Sequence, residues 1–129
     1  MQHVIRCATS TDGIHWQRHA HICVNVDETD YAFSRPVVLK EYGTYKMWYT
    51  YRGAQYRIGY AESADGMTWE RKDGAVQLPP SATGWDSEMV CYPYVFDLNH
   101  QRYMTYNGNG YGQTGFGLAR LQGGTQQTS

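Results

Sequence analysis

The sequence predicts an all-β fold, on three observations. Tyr, Val, Ile, Thr and Trp gather in short runs, Gly, Asp, Asn and Pro punctuate them, and no segment keeps a helical period. Nine strands and no helix are expected. In order they are residues 3–9 (HVIRCAT), 15–19, 35–40 (RPVVLK), 44–51 (TYKMWYTY), 56–62 (YRIGYAE), 67–72, 92–97 (YPYVFD), 102–107 (RYMTYN) and 115–121 (GFGLARL). The first pair is joined through Asp12-Gly13 and the pair 56–62 and 67–72 through Asp65-Gly66, dipeptides that supply the backbone angles of a tight hairpin.

Composition narrows the possible partners. With 129 residues, 41% hydrophobic and 15% aromatic, the chain can bury a core of about one domain. A net charge of −1 offers neither the basic face that nucleic acid requires nor a polybasic membrane patch. No run approaches the ~20 apolar residues of a membrane span, and the N-terminus lacks the layout of a signal peptide, so a cytoplasmic chain is expected. The three cysteines, Cys7, Cys23 and Cys91, are odd in number and read as reduced thiols in apolar surroundings. His19, His21 and Cys23 share one strand face, but no second cluster completes a metal site, and neither metal nor cofactor is expected.

The strands repeat. Ala8, Ser10, Asp12, Gly13, Trp16 and Arg18 match Ala61, Ser63, Asp65, Gly66, Trp69 and Arg71 at a constant offset of 53. Pro36, Val38, Met47, Tyr49 and Gly53 match Pro93, Val95, Met104, Tyr106 and Gly110 at an offset of 57. The unit is thus a four-stranded antiparallel meander of about 55 residues, which fits the blade of a β-propeller. Residues 1–121 are expected to form a partial propeller, with a half-blade at about 3–25 and blades at about 35–72 and 92–121, followed by a disordered tail at 122–129. Within each STDGIHW or SADGMTW stretch, Ser and Asp bond nearby backbone N–H groups and the Trp fills the gap between blades, a structural staple similar to the sialidase Asp box.

PVVLK followed by YKMWY and then YRIGYAESADGMTW resembles the five-bladed propellers of the arabinanase and β-fructosidase superfamily, glycoside hydrolase families 32, 43 and 68. The resemblance runs from about residue 4 to 121. It implies an incomplete propeller of the five-bladed type that processes or binds glycans, with its site in the central funnel. Only about two and a half blades are present, and the strand that carries the family's catalytic base has no counterpart before His3. The expectation is either a fragment or several copies closing a ring.

Meander topology brings residues 26–34, 52–55, 79–91 and 107–113 to one face, with the Asp-Gly hairpins on the other. These loops and the adjoining strand starts carry Tyr31, Arg35, Arg52, Trp85, Tyr92, Asn107, Asn109 and Tyr111, the candidate substrate-binding residues. Planar rings stack on sugar C–H groups, while amides and guanidinium groups pair with hydroxyls. By the resemblance, Glu88 in WDSEMVCYPY is the candidate general acid, although it stands five residues before Pro93 and the family's Glu stands closer. Asp30 or Asp86 is the candidate partner carboxylate, because glycoside hydrolysis needs two carboxyl groups, about 5–5.5 Å apart for retention or about 6.5–9.5 Å for inversion.

Three functions are therefore open: a glycoside hydrolase, completed by oligomeric closure or by a longer chain; a noncatalytic carbohydrate-binding module; and a structural domain whose open blades pair with other chains. A carbohydrate ligand and a homo-oligomer held through open blade edges are the expected partners.

Overall fold

A computed structural model describes residues 2–123, and the part of the predicted tail at 124–129 lies outside the described residues. Its nine strands form three antiparallel sheets. The first pairs β1 (Arg6–Thr9) with β2 (Gln17–Ile22). In the second, β3 (Tyr31–Glu41), β4 (Thr44–Arg52), β5 (Tyr56–Ser63) and β6 (Glu70–Arg71) follow one another in sequence order, as do β7 (Cys91–Leu98), β8 (Gln101–Asn107) and β9 (Phe116–Arg120) in the third. The fold is all-β, built of antiparallel meanders in an arrangement consistent with an incomplete propeller.

Two-residue turns close the first hairpin of each larger sheet. Tyr42-Gly43 (φ 49° and 79°) and Asn99-His100 (φ 51° and 63°) both carry positive φ at both positions, the geometry that matches strand twist. The Asp-Gly hairpins are also built alike. Ser63 Oγ accepts from Gly66 N at 2.8 Å, and Asp65 Oδ1 accepts from Met67 N and Thr68 N at 2.8 and 2.9 Å. Ser10 and Asp12 repeat this with Gly13, Ile14 and His15, each bond 2.8 Å.

β3 begins earlier than the expected residue 35, and the cause is a bulge. Ser34 pairs Thr50 and Val37 pairs Trp48, so Arg35 and Pro36 together face Tyr49. Cys91 pairs Asn107 and Tyr94 pairs Thr105, so Tyr92 and Pro93 together face Tyr106. Each proline, which has no N–H for the ladder, sits in the extra position, and the residue before it takes a left-handed backbone (Arg35 φ 50°, Tyr92 φ 57°). Across the next ladder the same tyrosines lie over Gly59 and Gly117, where neither position leaves room for a Cβ.

The expectation of no helix is corrected by one short turn, α1 (Asn109–Gly112), inside which Gly110 and Tyr111 are left-handed. Four residues are too few to write a helical period. The strand expected at 67–72 contracts to Glu70–Arg71, because Asp65 holds the chain before it in a turn and a 3-10 turn at Asp73–Ala75 follows.

The core lies between sheets. Ile5, Cys23 and Val24, flanking the first, cluster with Phe33, Met47, Tyr49 and Ala61 of the second and with Trp69 just before β6, while Ile58 clusters with Tyr106 of the third and with Val90 just before β7. The two junctions share a hydrogen bond, Phe33 N donating to His3 O (3.0 Å) and Val90 N to Tyr56 O (3.4 Å), which are matching positions of the repeat. All three cysteines are free, Cys23 and Cys91 in buried positions and Cys7 half-buried.

Candidate functional site

The bulges and loop ends bring six side chains into one continuous row. The Arg35 guanidinium lies over the Tyr92 ring at 4.7 Å. Tyr92 stacks on Tyr111 at 6.1 Å, and Tyr111 meets Tyr56 edge-on at 5.4 Å. The row continues with Arg52, whose guanidinium is 5.3 Å from the Tyr56 ring and 5.7 Å from that of Tyr31. Arg35 and Tyr92 reach the row from the left-handed position of each bulge, and Tyr111 from the left-handed turn of α1. Backbone held in such a rare conformation is common where a side chain must be aimed.

Charge and solvation differ along the row. Burial, then the neighbouring Tyr111 hydroxyl, raises the pKa of Tyr56 above the ordinary phenol value, and burial raises that of Tyr92. Arg52 Nε is buried and has no hydrogen-bond partner among the described residues. Arg35 and Arg52 form no ion pair there, whereas Arg71 is paired with Asp30 and Asp73, and Arg102 with Glu41 and Asp97.

Of the eight substrate-binding candidates, five meet in this row: Tyr31, Arg35, Arg52, Tyr92 and Tyr111. The other three build the loops behind it. Trp85 stacks on Tyr106 at 5.5 Å and fills the space over Gly108, Gly115 and Gly117. Asn109 Oδ1 accepts from Glu88 N (2.8 Å) and Met89 N (3.2 Å) while its Nδ2 donates to Gly84 O, which ties loop 79–91 to loop 107–113. Asn107 Nδ2 donates to Tyr111 O at 3.0 Å and so fixes the backbone that carries the ring.

The three carboxylates stand in different surroundings. Glu88 is exposed, and its side chain makes no hydrogen bond or ion pair among the described residues, although its carbonyl accepts from Arg57 Nη1 at 3.3 Å. Asp30 is held at 2.8 Å by Arg71, whose guanidinium lies over the rings of Phe33 and Tyr51. Asp86 is buried and accepts from the Tyr106 hydroxyl at 3.1 Å.

Sequence reasoning missed Tyr56 and Arg57. A signal for Tyr56 existed, since it opens β5 directly after loop 52–55, just as Arg35 and Tyr92 stand where strands leave site-face loops. The histidines have other partners: His19 Nε2 lies 2.9 Å from Thr9 Oγ1, and His21 Nε2 lies 2.8 Å from Met67 O.

No protein-family model matches the chain. It is 47% identical over 123 residues, 93% of its length, to an uncharacterized protein of Mycobacterium tuberculosis known from two strains, and it spans 40% of the length of these relatives. Among solved structures it is similar to a complex of BT0996 with RGII (TM-score 0.68, 22% identity) and to a glycoside hydrolase (TM-score 0.66, 23% identity). Each likeness covers 89% of this chain and 34% of the other. The fold is therefore glycoside hydrolase-like.

Proposed function

We propose that the chain is the glycan-recognising part of a five-bladed β-propeller of the glycoside hydrolase type, and that sugar lies along the Tyr31–Arg52–Tyr56–Tyr111–Tyr92–Arg35 row. The observation that carries this reading is the row itself. Three successive tyrosines flanked by two guanidinium groups provide faces for sugar C–H groups and donors for hydroxyls on one surface. The similarity to the BT0996 complex with RGII supports a carbohydrate ligand.

Glu88 is the carboxylate assigned to the reacting or hydroxyl-binding role, because its side chain is exposed in the loop that Asn109 ties to 107–113 and makes no hydrogen bond or ion pair among the described residues. Asp30 and Asp86 are the candidate partners. Each is engaged by Arg71 or Tyr106, and hydrolysis would require one of them to leave that contact. The chain alone is assigned binding rather than turnover. The test is calorimetric titration with a panel of neutral and acidic oligosaccharides, paired with a hydrolysis assay on the same panel. Saturable binding that falls at least about tenfold in Tyr111→Ala is expected, at roughly the contribution of one aromatic contact in a site. If hydrolysis occurs and is lost in Glu88→Gln, the enzyme assignment replaces the binding one, and absence of any binding removes both.

Self-association is a second proposal, favoured by a different observation. Ile58 and Tyr60 of β5 are buried, but Phe116 and Leu118, which occupy the same ladder positions in β9, are 76% and 63% exposed. Trp69 is 8% exposed against the first sheet, whereas its repeat partner Trp16 is 60% exposed. Two such faces suit head-to-tail packing of blades from separate copies. The free thiols favour a reducing, cytoplasmic setting, and burial pushes the Cys91 thiol up to about 11. No helix among the described residues is long and apolar enough to cross a membrane.

A further inference from the structure

We infer that the sugar recognised on this face is acidic, and that Arg52 and Arg35, at opposite ends of the row, each bind one of its carboxylates. The inference rests on the glycan reading above and specifies the ligand's charge. Arg57 donates to the carbonyls of Tyr56 and Glu88 and Arg120 makes no ion pair among the described residues, but the other arginines of the larger sheets outside the row are neutralised in place: Arg71 by Asp30 and Asp73, and Arg102 by Glu41 and Asp97. The two in the aromatic row are not. Each guanidinium lies over a tyrosine ring, Arg35 over Tyr92 and Arg52 over Tyr56 and Tyr31, an arrangement that leaves donor edges for a planar acceptor.

Arg52 adds an independent observation, for its Nε is buried without an acceptor. Buried donors are nearly always satisfied in folded proteins, and one left open at a candidate ligand face points to an acceptor brought by the ligand. Of the acids in loop 26–34, Glu28 is exposed and makes no hydrogen bond or ion pair among the described residues, whereas Asp27 and Asp30 are occupied. Asp27 Oδ1 accepts from Thr29 N, Thr29 Oγ1 and Asp30 N, and Asp30 pairs with Arg71. A carboxylate accepts two parallel N–H bonds from one guanidinium, which a neutral hydroxymethyl group at the same carbon cannot do.

The test uses the 129-residue chain and three sets of oligosaccharides in both galacto and gluco configurations: uronates, their methyl esters, and the corresponding neutral sugars. A sulfated set separates carboxylate recognition from recognition of any anion. A uronate is expected to bind at least about tenfold tighter than its methyl ester, with the preference shrinking as salt is raised. Arg52→Gln is expected to abolish most of that preference, weakening uronate binding well beyond ester binding, and Arg52→Lys to restore only part of it. Arg35→Gln gives the same reading should Arg52→Gln fail to fold, as judged by its melting transition. Equal binding of uronate and ester, or a preference unaltered in both arginine variants, overturns the inference and leaves the glycan reading standing. Tighter binding of the sulfated set overturns the assignment to a carboxylate. If no sugar binds, the glycan reading falls together with the inference.

Discussion

Single residues divide by what lies opposite them. Trp69 and Trp16 occupy one position of the repeat, but Trp69 is buried against Ile5, Cys23 and Val24 and its indole N–H donates to Gly66 O at 3.1 Å. Removing a buried aromatic leaves a cavity, so Trp69→Ala should cost about 3–5 kcal/mol in chemical denaturation. In the monomer, Trp16→Ala should change stability by no more than about 0.5 kcal/mol, as an exposed position does. Equal losses would show that Trp16 is covered in solution. The same dependence on neighbours separates the site residues: Tyr111 and Trp85 are both aromatic, yet one is half-exposed in the row and the other is a wall of the core.

At the scale of elements, two devices recur. The proline bulge lets β3 and β7 stay paired across Pro36 and Pro93 while turning Arg35 and Tyr92 toward the row. The Asp-Gly hairpin carries a pH dependence. Hydrogen bonds from the backbone N–H groups of Thr68 and Met67 and from the Ser63 hydroxyl hold the Asp65 carboxyl below the ordinary carboxylate range. A carboxyl whose pKa is lowered by folding stabilises the fold fully above its unfolded pKa of about 4, and that contribution disappears as pH falls through the folded value. The urea midpoint of the native chain should therefore fall between about pH 6 and pH 3 by more than that of Asp65→Asn. Identical pH profiles would mean the hairpin bonds are not formed in solution.

For the whole molecule, the proposed self-association rests on the open faces at β9 and at the first sheet. Light scattering over a dilution series is expected to give a dimer or larger ring, and Phe116→Asp, at an exposed position, is expected to return it to monomer without loss of secondary structure. A wild-type monomer with exposed apolar surface would instead assign these faces to polypeptide of the kind carried by the longer relatives, of which this chain spans 40%.

The sequence by itself determined the class of fold, the number of strands among the described residues, and the repeat. Alternation at period two, punctuated by Asp-Gly and Pro, writes those features locally. It also selected five members of the row, because meander topology dictates which loops share a face. Tertiary structure alone decided what each side chain meets. Asp30, Asp86 and Glu88 look equivalent as letters, yet an arginine 41 residues away and a tyrosine 20 residues away occupy the first two and no group among the described residues occupies the third. Likewise, nothing near Arg52 in the chain reveals a buried Nε without an acceptor. Contacts of this kind come from residues distant in sequence, and local periodicity carries no record of them.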